Sequence, residues 1–537
     1  MTTQDSPKVA YFCMEFALRD ELPIYAGGLG VLAGDVLKGA RDLDLPMIGI
    51  GLLWAEGYAV QSLDESGWQR ERQQELDRSQ LRELDVAFSV EVEGREIPLR
   101  AHEVVGDDHV PLYLIEPSRD EDSWITRRLY QGGGVDRVVQ EILLGVGGVR
   151  LLRAMNWDFD VLHLNEGHAV FAGLELARER KAEGASTGVA LETVRDSLVF
   201  TTHTPVVAGN EAHDVGLLVH QGVGLGCFDH DELRELAGEP FSMTVAGLRL
   251  SRHANAVAQL HGSTARHMWA DVENAAPIVG ITNGVHVPTW QDRRFTEALS
   301  EGGDLWDVHR QLKGELLEEI RRRTEVSLDP DALLLGFARR AAPYKRADLV
   351  FGDIERLMPW LEEGRLQLVF AGKAHPDHED GKHILQRLHE MTRRFSDSVV
   401  FLEDYGLELG RLLTRGCDAW LNTPRRPKEA SGTSGMKAAL NGVLNISVLD
   451  GWWAEGCDHG HDGWQFGDGY EGHDQDGHDL RCLMEVLESE VFPTFNDDRE
   501  RWAAMMRASA EMAERRFSAT RMVSDYDRLL YRARLPR

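Results

Sequence analysis

The sequence predicts an α/β protein built from two doubly wound, Rossmann-like domains of parallel strands. Three observations carry this. Short apolar runs of strand length alternate with helical stretches almost throughout, the pattern of βαβ units and parallel sheets. Small-residue turns stand where a strand hands over to a helix, at Tyr25-Ala26-Gly27-Gly28-Leu29-Gly30 and at Glu429-Ala430-Ser431-Gly432-Thr433-Ser434-Gly435. The chain has 537 residues, too many for one ordinary domain.

In chain order, strands are expected at 8–16, 47–53, 161–164, 197–202 and 278–282, and a second series at 332–338, 366–371, 398–402, 419–421 and 444–449. Helical patterns fall between them, for example at 31–43, 135–155, 346–361 and 383–394. Residues 84–117 alternate polar and apolar around Glu93-Gly94 and Asp107-Asp108, which reads as a β-meander inserted in the first domain. The expected division is 1–288 for the N-terminal domain, 289–330 for a charged connector without strand signals, 331–478 for the C-terminal domain, and 479–537 for terminal helices that return to the first domain. Two doubly wound domains place ligands in a cleft at the C-terminal ends of their strands.

Composition narrows the function. Hydrophobic residues make up 42% of the chain, enough for two cores. There are 59 basic and 89 acidic residues, so the formal charge is 59 − 89 = −30. Such a chain repels nucleic acid and anionic membranes, and an anionic substrate needs a local basic pocket. The five cysteines are scattered and odd in number, which argues against a disulfide framework and for a reducing, cytoplasmic setting. No signal peptide and no membrane-spanning run is expected.

The turn at Glu429–Gly435 aims backbone N–H groups and the positive end of a helix at one spot, which suits a phosphate. Lys437 follows about one turn into that helix. It reads either as a point charge for the phosphate or as an amine able to form a Schiff base. A solvated lysine on an ordinary strand-to-helix turn fits the spacing equally well. Arg339, Arg340, Lys345 and Arg346 close the first strand of the second domain, as a solvated cluster or as the basic pocket. His203 ends a strand in VFTTHTPV, where ligands of a parallel sheet collect. Cys457, His459, His461, His473 and His478 crowd one segment, but without a paired CxxC a flexible acidic loop is the reading and no metal is expected.

The run EASGTSGMKAALNGVLNISVLDG, 429–451, resembles the pyridoxal phosphate segment of the α-glucan phosphorylases, the family of glycogen, starch and maltodextrin phosphorylase. The similarity continues through YFCMEF, PIYAGGLGVLAGD and LPMIGIGLL between 11 and 53, and through GFARRAAPYKRADLVF, ITNGVHVPTW, HLNEGHA and FLEDYG. It implies a GT-B fold with the active site in the cleft between the domains. It implies pyridoxal 5'-phosphate carried by Lys437 in the 331–478 domain, with Arg339, Lys345, Thr433, Ser434, Tyr405 and Trp54 around the cofactor. Gly27, Gly28, Leu29 and Arg340 would meet the substrate phosphate. His203, Asn283, Glu429, Ala430, Ser431 and Gly432 would meet the reacting sugar, and Glu166 and His168 the acceptor side. The implied catalytic set is Lys437, Arg340, Lys345, His203 and Glu429. Arg339 stands where many members carry lysine, and both Ala341-Ala342-Pro343 and AGNEAHD depart from the usual pattern.

The reaction implied is phosphorolysis of an α-1,4-glucan or maltooligosaccharide by inorganic phosphate, giving α-glucose 1-phosphate with retention. Its transition state is oxocarbenium-like, and in the family the cofactor's phosphate relays a proton to the incoming phosphate. A homodimer is the assembly usual for the family. Two other readings compete. A GT-B nucleotide-sugar transferase often carries a second glutamate eight residues after the first; here Lys437 stands eight after Glu429, replacing a ribose acceptor with an amine. A non-catalytic glucan-binding protein on the same scaffold is the other, disfavoured by the intact cations.

Overall fold

Strand β1 (Val9–Phe12) is buried along its whole length, as are β2 (Met47–Leu52), β7 (Val161–Asn165) and β8 (Leu198–Thr202). Runs without polar alternation belong to parallel strands covered on both faces. A computed structural model describes residues 6–57, 59–130, 132–206 and 209–533. Contacts divide the chain into two units: Met1–Tyr58, Gln73–Thr282 and Ala519–Arg537 form the first, Ala59–Arg72 and Asn283–Ser518 the second.

The remaining strands of the first unit's main sheet are β3 (Leu81–Glu83), β4 (Phe88–Val92), β5 (Arg95–Val104), β6 (Leu112–Pro117), β9 (His253–Ala256) and β10 (Ile278–Gly280). The order is β10-β9-β8-β7-β1-β2-β6-β5-β3, with β4 also on β5. The seven strands from β10 to β6 are parallel. β5 pairs antiparallel with β6, β4 and β3. The meander therefore extends the parallel sheet, β6 being shared by both parts. Helix α1 (Gly28–Asp42) leaves the first glycine turn. Helix α2 (Gly134–Ile142) runs on through a π-helical turn, Leu143–Gly147, into Gly148–Ala154.

The second unit has six parallel strands: β11 (Leu333–Ala338), β12 (Leu366–Ala371), β13 (Val399–Leu402), β14 (Ala419–Asn422), β15 (Leu444–Val448) and β16 (Gly463–Phe466), in the order β13-β12-β11-β14-β15-β16. Side chains alternate between two cores, as a period of two requires. Leu333, Leu335 and Phe337 of β11 join one core with Leu368 and Phe401. Leu334 and Ala338 join the other with Val369 and Val400.

The expected connector is largely helical and belongs to the second unit. Its helix α3 (Leu305–Thr324) is fastened by a buried trio. His309 Nε2 and Lys313 Nζ lie 2.9 and 2.6 Å from the Asp418 carboxylate, which also accepts from the Leu334 N–H at 2.7 Å. A hairpin, Val60–Leu63 with Gln69–Arg72, also belongs here rather than to the span around it in sequence. Gln61 and Gln69 bond the carbonyls of Gly372 and Ala374 at 2.9 Å each. The strands that escaped the sequence reading include this hairpin, β3, β9 and β16. β9 reads His-Ala-Asn-Ala and β16 Gly-Trp-Gln-Phe, neither with β-branched residues. The helix expected at 346–361 begins as a 3-10 turn, Leu349–Asp353, before Ile354–Glu362.

The second unit also contains α4 (Thr433–Leu440) and α5 (Arg499–Phe517). The chain then enters α6 (Ala519–Tyr526) in the first unit, where α6 packs against α1. Tyr531, just beyond α6, hydrogen-bonds the buried ring of His163 on β7 at 2.8 Å.

Candidate functional site

In the second unit the turn between β14 and α4 is a built structure. Gly432 caps α4 with φ 83°, a left-handed conformation that an L side chain adopts only with strain. A Cβ there would also come within 3.3 Å of the Arg339 guanidinium. Gly451 presses on the same turn from the end of β15: its φ is 52°, and a Cβ would meet the Ser431 carbonyl at 2.2 Å. Both positions require glycine, so the backbone from Glu429 to Gly432 is held close to its neighbours. Among the described residues no side chain caps the N-terminus of α4. Its orphan N–H groups and positive dipole end therefore remain available to an anion.

Glu429 is buried and gathers two cations. Arg339 Nη2 donates to it at 2.6 Å and Lys345 Nζ at 2.9 and 3.2 Å. Burial alone would raise the Glu429 carboxyl; the charges of Arg339 and Lys345 outweigh it and hold the group at about 2. With both cations charged the cluster carries a net positive charge. It is a local basic pocket inside an acidic protein.

The other two cations of the segment diverge. Arg346 is structural: its guanidinium donates to the carbonyls of Thr423 and Pro424, both at 2.8 Å, and to Asp476 and Asp479. Arg340 is exposed and makes no ion pair or hydrogen bond among the described residues.

Lys437 sits in the second turn of α4 and is buried, its ammonium 3.6 Å from the centroid of the Trp290 ring. Ser431 Oγ is buried without a hydrogen-bond partner among the described residues. Ser434 Oγ accepts from Trp420 Nε1 at 3.2 Å. The Tyr405 hydroxyl is pushed up to about 12 by burial, with the Arg339 charge opposing. A phosphorylated aldehyde cofactor fits this donor set. It offers an amine, an uncapped helix N-terminus, two buried cations and an orphaned hydroxyl.

Asp450, which the sequence reading missed, underlies the turn. Its carboxylate accepts from the N–H groups of Glu429 and Gly451, both at 2.9 Å. Burial, with the Glu429 charge adding to it, raises this carboxyl to about 7. An acidic residue closing an apolar strand in SVLDGWW was the available signal.

In the first unit the glycine turn has an acidic partner. Glu15 Oε2 accepts from the N–H of Ala26 at 2.6 Å and of Gly27 at 3.2 Å, and Glu15 Oε1 accepts from Tyr130 at 2.9 Å. Among the described residues a Cβ at Gly27 or Gly28 would meet nothing within 4 Å, and Leu29 follows in the first turn of α1. A chain carboxylate thus already lies on the amides of this turn, as Glu429 lies on the cations of the second unit.

At the ends of β7 and β8, Glu166 is strained, with φ 71° and ψ 175°. What holds it is hydrogen bonding: Oε1 accepts from the His203 N–H at 2.5 Å and Oε2 from the Gly167 N–H at 3.3 Å. Burial raises its carboxyl to about 7. The His203 ring lies 2.7 Å from Asn165 Oδ1 through Nε2, and burial pulls it down to about 3, so the imidazole is neutral. His168 is pulled down to about 4 by burial, and its ring faces Tyr130.

The structure therefore brings together Arg339, Lys345, Glu429, Ser431 and Gly432 in one unit, and Glu166 with His203 in the other. Asn283 is buried at the start of the second unit's main segment. Trp54 is fully buried, its Nε1 donating to the Met14 carbonyl at 3.0 Å, so its surface is used in packing. Thr433 and Ala430 lie on the turn with partly exposed side chains. The histidines of 457–478 disperse: His459 pairs with Glu490 at 3.0 Å, His461 is exposed beside Asp458, and His478 faces Tyr470. All five cysteines are free thiols. Among the described residues no helix is long and apolar enough to cross a membrane.

The family profile described as carbohydrate phosphorylase matches residues 288–463, a span that includes Arg339, Lys345, Glu429 and Lys437. The maltodextrin phosphorylase of Thermococcus litoralis is 39% identical, aligned over 96% of this chain and 70% of its own length. The glycogen phosphorylase of Aquifex aeolicus is 34% identical over 97% of this chain and 86% of its own. An uncharacterized protein of Methanocaldococcus jannaschii is 33% identical over 97% of this chain and 99% of its own. With two doubly wound units, a lysine on the helix after the Gly432 turn, and relatives of this similarity along nearly the whole chain, the protein belongs to the carbohydrate phosphorylase family.

Proposed function

We propose that this protein catalyses pyridoxal-phosphate-dependent phosphorolysis of an α-1,4-glucan, giving α-glucose 1-phosphate with retention of configuration. The observation that carries the reading is the turn before α4. An uncapped helix N-terminus, two buried cations on Glu429 and the orphaned Ser431 hydroxyl lie at this turn, and a buried lysine follows in the second turn of α4. When bound, the cofactor supplies a phosphate group able to exchange a proton with the substrate phosphate.

The chain's own residues then do the following. Lys437 holds the cofactor through its amine. Arg339, Lys345 and the N–H groups of Thr433 and Ser434 hold phosphate oxygens, which needs cations close by because two phosphates repel each other. Arg340, exposed and unengaged, is suited to grip the substrate phosphate bidentately. Glu429 releases its cations to the phosphates and turns to a sugar hydroxyl. His203 stays neutral, and with Nε2–H donated to Asn165 its Nδ1 is an acceptor for a sugar hydroxyl. Glu166 fixes the His203 backbone through its 2.5 Å hydrogen bond. Gly28 and Leu29 offer their backbone to an anion, Gly27 does so once Glu15 releases its N–H, and Asn283 offers a buried amide to a sugar. The same reading makes the enzyme a cytoplasmic homodimer.

The test is glucose 1-phosphate release from maltoheptaose and phosphate by the cofactor-loaded protein. Release that needs both substrates is expected; cofactor bound without release would support the glucan-binding reading instead.

A further inference from the structure

Three side chains of the first unit converge on one point that the proposed reaction does not use. Glu141 lies in the last turn of α2, Glu211 stands just before the short strand Ala212–His213, and His213 lies on that strand. One potential ligand atom from each lies within 4.8 Å of the other two. Glu141 is fully buried, His213 is 6% exposed and Glu211 is half-buried. His213 Nε2 is 2.8 Å from Glu141 Oε2. The other oxygen, Glu141 Oε1, is buried without a hydrogen-bond partner among the described residues.

Two carboxylates so close repel each other, and burial strengthens the repulsion. The permanent cation beside them is Arg137, whose Nε lies 2.9 Å from Glu211 Oε1. His168 Nε2 stands 3.7 Å from Glu211 Oε2.

We propose that Glu141, Glu211 and His213 bind a divalent cation of the zinc class, leaving one coordination position for water. One imidazole and two carboxylates are the ligand mixture such ions accept, whereas calcium and magnesium favour all-oxygen sets. The ligands come from α2 and from a segment about seventy residues later in the chain, so the ion clamps the 211–213 segment to α2. The spacing of 70 between Glu141 and Glu211 hid the site from motif reading.

The experiment uses the full chain, stripped with chelator and titrated with cobalt(II), a spectroscopic substitute for zinc, while visible absorbance is followed. Tight uptake of about one cobalt per chain is expected, with zinc displacing it and raising the unfolding temperature. Both effects should vanish in His213→Ala and in Glu211→Gln but persist in His461→Ala, which alters an exposed histidine elsewhere. Uptake that is absent, or equal in wild type and the two ligand variants, overturns the proposal. So does a Glu141→Gln variant that is more stable than metal-free wild type while wild type binds no cobalt: that pattern means a proton shared by the two carboxyls, and no cation, relieves their repulsion.

Discussion

Replacing Glu429 by glutamine keeps the shape of the side chain and removes its charge. Arg339 and Lys345 are then left facing each other in a buried place, with the anion that held them, 2.6 and 2.9 Å away, gone. The size of the loss follows from the carboxyl itself. Its descent from 4.5 to about 2 corresponds to about 3 kcal/mol, at about 1.4 kcal/mol for each tenfold change. Breaking a buried ion pair from one side costs about 3–5 kcal/mol in general, so the two routes agree. For a unit of this size that is a fall of roughly 6 °C in unfolding temperature. The sign with pH is fixed as well. A depressed carboxyl contributes stability that is present above about 4.5 and lost as pH falls towards 2, so the difference between wild type and variant should shrink in acid. Inorganic phosphate supplies the decisive arm. With two uncompensated cations the variant should bind it more tightly than wild type and regain more of its unfolding temperature. Scanning calorimetry of both proteins, with phosphate and with chloride of equal ionic strength, measures all of this. A variant within about 0.5 kcal/mol of wild type, or equal rescue of both by phosphate, would refute the reading of Arg339 and Lys345 as an anion pocket.

Three further outcomes follow from the geometry. Glu166 and Asp450 both have carboxyls raised to about 7, so each adds stability present below about pH 4 that is lost as pH rises through 7; Glu166→Gln and Asp450→Asn should each flatten the decline of unfolding temperature between pH 5 and 8, and unchanged slopes would contradict it. Arg340→Ala should leave unfolding within about 0.5 kcal/mol of wild type, because the side chain is exposed and unengaged, yet raise KM for phosphate by about ten- to a hundredfold; an unchanged KM would remove Arg340 from the reaction. Asp418→Asn strands Lys313 in the core beside α3 and should cost about 3–5 kcal/mol by chemical denaturation; a loss under 1 kcal/mol would show that the trio is not what fastens that helix.

Much of this was legible in the chain, for physical reasons. Strands such as β1 and β11 are continuous apolar runs because both faces are covered, so composition alone marks them. β9 was hidden because its residues are small or polar and its burial comes from neighbouring strands. The hairpin at 60–72 was hidden because membership of a unit is set by contacts such as Gln69 with Ala374, 305 residues away. In the site, the Gly432 turn and Lys437 could be read because a strand-to-helix turn has local rules. The division of labour among the four cations could not. Arg339 and Lys345 turn to Glu429, Arg346 turns to backbone carbonyls, and Arg340 faces outward, although all four lie within eight residues. Asp450 and Glu15 were missed for a related reason: each acts on backbone N–H groups that carry no residue-type signature.

The central claim is that Lys437 carries the pyridoxal cofactor, and borohydride reduction of the cofactor-loaded protein tests it most directly. Reduction should shift the absorbance above the aromatic region and leave a phosphopyridoxyl group on the peptide containing Lys437, detected by mass spectrometry, with no such product in Lys437→Ala. A protein that stays colourless after addition of pyridoxal 5'-phosphate, or that carries the label on another lysine, would contradict it.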